Sequence, residues 1–109
     1  MIKKKFRICK NVSFQEIITN KDNFIKSDEF ILYFKKNDLN HIRVGISVYS
    51  KVKNAVLRNK IKRQVRSILS KVLDYTKSID IIIIVREKFI KNKYQQNFNF
   101  IKKKISELL

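Results

Sequence analysis

"NAVLRNKIKRQVRSILSKVL", residues 54–73, divides into two faces, and that division sets what the rest of the chain must be. Leu57, Ile61, Val65, Ile68 and Val72 recur at steps of four, four, three and four, the spacing of an amphipathic helix. On a helical wheel they fall within a wedge of roughly 80°, with Leu69 at its edge. Arg58, Lys62 and Arg66 make a separate row at steps of four, and Asn59, Lys60 and Arg63 continue round the far side. No acidic residue relieves this row. One face is therefore read as core, and the other as a surface prepared for a negative partner.

The segments on either side supply what this helix packs on. "SIDIIIIV" (78–85) is a continuous apolar run, as expected of a strand covered on both faces. "DEFILYFKK" (28–36) is rich in aromatic and β-branched residues. A period of two places Phe30, Leu32 and Phe34 on one side, with Ile31, Tyr33 and Lys35 on the other. "KNDLNH" (36–41) reads as a turn leading into "IRVGISV" (42–48), the second half of an antiparallel hairpin. "VSFQEIITN" (12–20) reads as a short helix capped by Asn11 or Ser13. "KNKYQQNFNFIKKKISELL" (91–109) reads as a C-terminal helix with Tyr94, Phe98, Ile101, Ile105 and Leu108 on one stripe. The order α-β-β-α-β-α predicts an α+β two-layer sandwich, with helices on a small mixed sheet, in one domain spanning 1–109.

Composition narrows the partner. Twenty-six lysines and arginines oppose nine acids, giving a formal net charge of +17 and a pI near 10.2. Self-repulsion of that size disfavours a compact chain unless a polyanion offsets it. Nucleic acid is the first candidate and an anionic membrane the second. A membrane would call for a wide aromatic face beside the basic one, whereas this apolar wedge is narrow and aliphatic. From Leu39 to Leu73 there is no Asp or Glu, against nine basic residues that include Arg43, Lys51, Lys53 and Lys71. Lysine outnumbers arginine twenty to six, yet Arg58, Arg63 and Arg66 fall within nine residues. That clustering favours contacts needing guanidinium forks.

Catalytic signatures are sparse. The lone histidine, His41, reads as a solvated loop residue, and Asp28 and Glu29 would point to opposite faces of a strand. A single cysteine, Cys9, permits no internal disulfide and fits a reducing compartment. The basic N-terminus is followed by no apolar h-region, and the run at 81–85 is too short to span a bilayer, so a cytoplasmic protein is expected. Gly45 reads as a packing position in a strand or a point where a ligand approaches closely. Phe14 and Tyr33 are core aromatics or, if exposed, platforms for unpaired bases.

"RVGISV" and "KVKNAVLRNKIKRQVR" together resemble the ribonuclease P protein family, with its strand R-V-G-F/L-S-V and helix N-A-V-x-R-N-R-I/V-K-R-x-x-R. "KNVSFQEII" and "FILYF" are similar to further segments of that family, so the resemblance covers nearly the whole chain. Lys60 departs from the second arginine of R-N-R, keeping charge and losing the fork. Tyr49 and Ser50 stand where Ser and Lys are usual, and Lys53 replaces a glycine. Cys9 also stands where a basic residue is common.

The resemblance implies a left-handed β-α-β crossover and two RNA surfaces. Arg58, Asn59, Lys60, Lys62, Arg63 and Arg66, with Lys51 and Lys53, would face the catalytic RNA. Phe14, Tyr33, Arg7, Lys10, Arg43 and Ser47 would hold the single-stranded 5′ leader of precursor tRNA. Hydrolysis would belong to the RNA and its magnesium (Mg2+), with no catalytic side chain, no small-molecule substrate and no membrane partner; the position of any protein-bound ion is left open, the vicinity of Asn59 being one candidate. The competing expectations are a ribosomal or ribosome-assembly RNA-binding protein and, less consistent with the residues, a stand-alone hydrolase.

Overall fold

The computed structural model describes residue 8 and residues 11–74 and 76–108. Arg7, Cys9 and Lys10 lie outside the described residues. The elements are α1 (Asn11–Thr19), β1 (Asn23–Lys26), β2 (Phe30–Lys36), β3 (Arg43–Val48), α2 (Ala55–Val72), β4 (Ile79–Val85), α3 (Glu87–Lys91) and α4 (Tyr94–Leu108). The long helix and the three strands read from the sequence are all present. β1 and α3 are additions to the expected order.

The four strands form one mixed sheet in the order β1-β2-β4-β3. β4 pairs antiparallel with β2, Leu32 opposite Ile83, and parallel with β3, Ile46 opposite Ile83. Hence 28–36 and 42–48 do not form the expected hairpin, because β4 lies between them. A six-residue connection suggests a hairpin locally. β4, apolar except for Asp80, gains more from two strand neighbours than an edge position would give it. The antiparallel hairpin is instead β1–β2, with Phe24 opposite Tyr33. Its turn is closed by Ser27, whose Oγ donates to the Phe30 carbonyl at 3.0 Å and accepts from the Phe30 N–H at 3.2 Å. Asp28 and Glu29 therefore sit in this turn and not on opposite faces of a strand.

Alternation along the strands creates two cores. Phe30, Leu32, Phe34, Val44, Val48, Ile81, Ile83 and Val85 join Ile61, Val65, Ile68 and Leu69 of α2, and Ile101 and Ile105 of α4, on one side. The Phe30 and Phe100 rings meet edge to face there at 5.4 Å. On the other side Ile82 packs with Ile8 and Ile17, flanked by Phe14, Ile18, Tyr33 and Ile84. The sheet and the α2/α4 layer thus form the expected sandwich, and α1 adds a partial layer on the sheet's second face. Burying each of the central isoleucines contributes roughly 1.5–3 kcal/mol.

Asn54 starts α2 by accepting the Leu57 N–H on its side chain at 3.1 Å. Leu69, placed at the edge of the stripe by periodicity, is fully buried, while Leu57 and Val72 are only partly so. The C-terminal helix expected from residue 91 is two helices broken at Asn92. There the Gln96 side chain accepts the Lys93 N–H, and Asn97 donates to the Phe89 carbonyl at 3.0 Å, binding α3 to α4.

One polar group is buried within the sheet. Asp80 accepts from Arg43 Nε at 2.8 Å and from a terminal guanidinium nitrogen at 2.7 Å, and from Asn37 Nδ2 at 2.7 Å. Arg43 and Asp80 are direct partners in the β3–β4 register. Asp80→Asn should lower the urea midpoint by the equivalent of roughly 1–3 kcal/mol at unchanged m, since a donor then faces donors. Arg43→Lys, keeping charge without the fork, should lose less.

Candidate RNA interface

The exposed side of α2 carries the basic row. Val56, 79% exposed, heads an outward line continued by Asn59, Lys60 and Arg63, all exposed, while Arg58, Lys62 and Arg66 sit half-buried along its flank. Lys51 and Lys53 are exposed in the β3–α2 loop that leads into it. The eight residues expected to meet the catalytic RNA are therefore contiguous on one helix and its entry loop. The sequence reading did not single out Val56; its position off the core wedge was the available signal.

Arg58 is partly committed inside the protein. One of its terminal nitrogens donates to the carbonyls of Tyr49 at 3.2 Å and Val52 at 2.9 Å. It pins the entry loop to the first turn of α2, so at least part of its fork is spent inside the protein. Arg58→Ala should release the loop and lower stability by about 1 kcal/mol, whereas Lys60→Ala should leave the urea midpoint within about 0.5 kcal/mol.

The second surface lies across the sheet, on the α1 side. Arg43, Gly45 and Ser47 alternate onto this face of β3, and Phe14 of α1 lies directly over Gly45. A Cβ at Gly45 would come within 2.6 Å of the Phe14 ring tip. Gly45 is thus a packing position whose missing side chain makes room for an aromatic ring. Tyr33, half-buried on β2, borders the same small core.

Beyond Tyr33 the face extends to two residues that the sequence reading did not select. Phe24 on β1 is 50% exposed and stacks on Tyr33 with centroids 6.2 Å apart and planes 25° from parallel. The Lys21 ammonium sits 5.4 Å from the Phe24 centroid and 5.8 Å from that of Tyr33. Cation and rings form a platform of the kind that binds a base and its phosphate. "KDNF" carried no periodic signal, and only the β1–β2 register puts Phe24 beside Tyr33.

Arg43 stands apart from this platform. Its guanidinium is held by Asp80, which, together with nearby Glu16, keeps it charged above even the ordinary arginine range. Asp38 joins Glu16, Arg43 and Asp80 around a 220 Å³ cavity at this end. Lys35 and Lys36 line the same cavity, so three carboxylates there face two lysines and an Arg43 already paired with Asp80. His41, expected as a solvated loop residue, is half-buried, with Nδ1 3.0 Å from the Ile42 carbonyl.

No group of three or more His, Cys, Asp or Glu side chains that could hold a metal ion occurs among the described residues. Around Asn59 the helical neighbours are Lys60, Lys62 and Arg63. These residues do not fit Mg2+ by themselves, because a lone carboxamide oxygen among cations offers no net attraction.

Sheet, layers and charged face together define a small basic α+β domain that displays a cationic helix beside a parallel strand pair. The chain matches the family model for Ribonuclease P over residues 2–109. It is 48% identical over 95 residues to the ribonuclease P protein component of Mycoplasma mycoides subsp. mycoides, covering 85% of this chain and 86% of that one. With the Mesoplasma florum component the identity is 46% over 99 residues, covering 88% of each. Among solved structures it is similar to a Staphylococcus aureus RNase P protein mutant with defective mRNA degradation activity, at a TM-score of 0.82 and 35% identity over 95% of this chain and 90% of that one. The Thermotoga maritima RNase P protein gives 0.72 and 30%, covering 94% of each. The chain belongs to the ribonuclease P protein family.

Proposed function

We propose that the chain acts as the protein subunit of ribonuclease P, binding the catalytic RNA through α2 and the 5′ leader of precursor tRNA across the α1–β2 face, in the cytoplasm. The observation that supports this most is the separation of its two surfaces. The outward line of Asn59 and the cations Lys60 and Arg63 lies on one layer, and the Phe14, Tyr33 and Phe24 aromatics lie on the other side of the sheet. Duplex and structured RNA present phosphates, which suit the first surface. A single-stranded leader presents unstacked bases, which suit the second.

On this reading hydrolysis belongs to the RNA, whose Mg2+ supplies the charge stabilisation of phosphodiester cleavage. The protein's side chains hold and orient. Lysines and arginines on α2 lower the repulsion between RNA helices, so that less magnesium is needed for assembly. Phe14, seated over Gly45, and Tyr33 with Phe24 keep the leader extended, fixing the scissile bond relative to the RNA. Arg43 serves as a positioning residue, locking β3 to β4 beneath Phe14.

At low magnesium, adding the protein to its cognate ribonuclease P RNA should stimulate precursor-tRNA cleavage severalfold; an unstimulated rate sinks the proposal. Arg63→Ala should weaken assembly with the RNA and reduce the slope of log affinity against log salt by about 1, with little effect on precursor over mature tRNA. Phe14→Ala and Phe24→Ala should do the reverse, lowering that preference roughly 5- to 100-fold. A protein that binds the RNA with no preference for leader-bearing tRNA would instead be a ribosomal or ribosome-assembly type of binder.

A further inference from the structure

We infer that the β3–α2 loop and α3 form, at the end of the catalytic-RNA surface, a pocket that takes one unpaired base of RNA; this rests on the reading of the chain as an RNA-binding subunit. Two cavities adjoin at this end of the sheet, sharing Tyr49, Glu87 and Lys91. The one beside α2 measures about 380 Å³, within the range of about 300–1,000 Å³ usual for small-ligand sites. Its apolar side is Val52, Leu57 and Ile90, each packed against the main core, so the floor is fixed.

The wall is fixed as well. The Tyr49 N–H donates to the Val85 carbonyl at 2.8 Å, and the Val52 N–H to the Tyr49 carbonyl at 3.0 Å. Arg58 fastens both loop carbonyls from α2. A pocket built this way needs no ordering on binding, which lowers the cost of capturing a ligand.

Chemistry selects the occupant. Lys51 and Lys53 stand exposed at the cavity beside α2, against one carboxylate, Glu87, which itself lies 3.8 Å from Lys91. An apolar slot with an aromatic side chain and a cationic border suits a base with its phosphate outside. An apolar peptide would leave the lysines unused. The adjoining cavity of about 500 Å³ sets Asp28 and Glu87 against Arg86, Lys88 and Lys91, with Lys88 and Lys91 beside those two carboxylates, and so has the smaller cationic excess. Asn54 connects the pocket to the cationic face, because it lines the cavity and caps α2. One RNA strand could thus run from Lys51 and Lys53 onto Lys60 and Arg63.

The test titrates ¹⁵N-labelled protein with adenosine 5′-monophosphate and, separately, ribose 5-phosphate. The monophosphate should give saturable shifts at the amides of Val52, Leu57 and Ile90. Ribose 5-phosphate should bind roughly tenfold more weakly, lacking the base. Tyr49→Ala should weaken nucleotide binding by about tenfold and Tyr49→Phe should retain it, both variants being checked for native amide spectra. Equal shifts from the two ligands, no saturable shifts, or indifference to Tyr49→Ala would overturn the pocket. Because this readout needs no cleavage, a chain that binds the nucleotide yet fails to stimulate ribonuclease P RNA would refute the functional proposal and leave the pocket standing.

Discussion

β4 is bonded on both edges and covered on both faces, and it joins the antiparallel and parallel halves of the sheet. Ile81, Ile83 and Val85 face α2 and α4; Ile82 and Ile84 face α1. Because β4 must sit between two strands, β2 and β3 are pushed apart and β3 runs parallel to it. A parallel neighbour requires a crossover, and α2 is that crossover. The length and outward display of the basic helix follow from the way one isoleucine-rich strand is satisfied.

The same strand ties the two proposed RNA surfaces to the core. Its one acidic residue, Asp80, would be costly in a sheet centre without partners. Arg43 and Asn37 supply three hydrogen bonds between them, which fixes the register of β3. With the register fixed, Gly45 falls beneath Phe14, and a slip by one residue would put Val44 or Ile46 under the ring instead. The aromatic face thus depends on a half-buried ion pair two residues away from it.

Most of the elements were legible from periodicity, because α2, β2 and β4 have long, consistent patterns. The pairing was not. The short connection between β2 and β3 imitates a hairpin, and the choice between that and a split pair is made by β4, more than thirty residues later. β1 and α3 are four and five residues long, with too little sequence for any period to emerge. Among the site residues, the row on α2 was readable since one helix carries it all. Phe24 and Lys21 were not, because their meeting with Tyr33 is made by strand register. The internal commitments of Arg43 and Arg58 escaped for a similar reason: a basic side chain in the sequence does not show whether its partner is solvent, RNA or a carbonyl nine residues back.

The borders of the sheet have a consequence of their own. A four-stranded sheet exposes two rows of unpaired amides, which can recruit a strand from another molecule. Here one border is β1, only four residues long and ending in Lys26, and along the other the Ile8 N–H already reaches the Val44 carbonyl at 2.8 Å. The first border is short, and one carbonyl of the second is already taken. A chain that must stay dispersed at high positive charge until it meets its RNA is thereby also guarded against self-templating, and the guard costs no more than a short strand and one residue of the N-terminal segment.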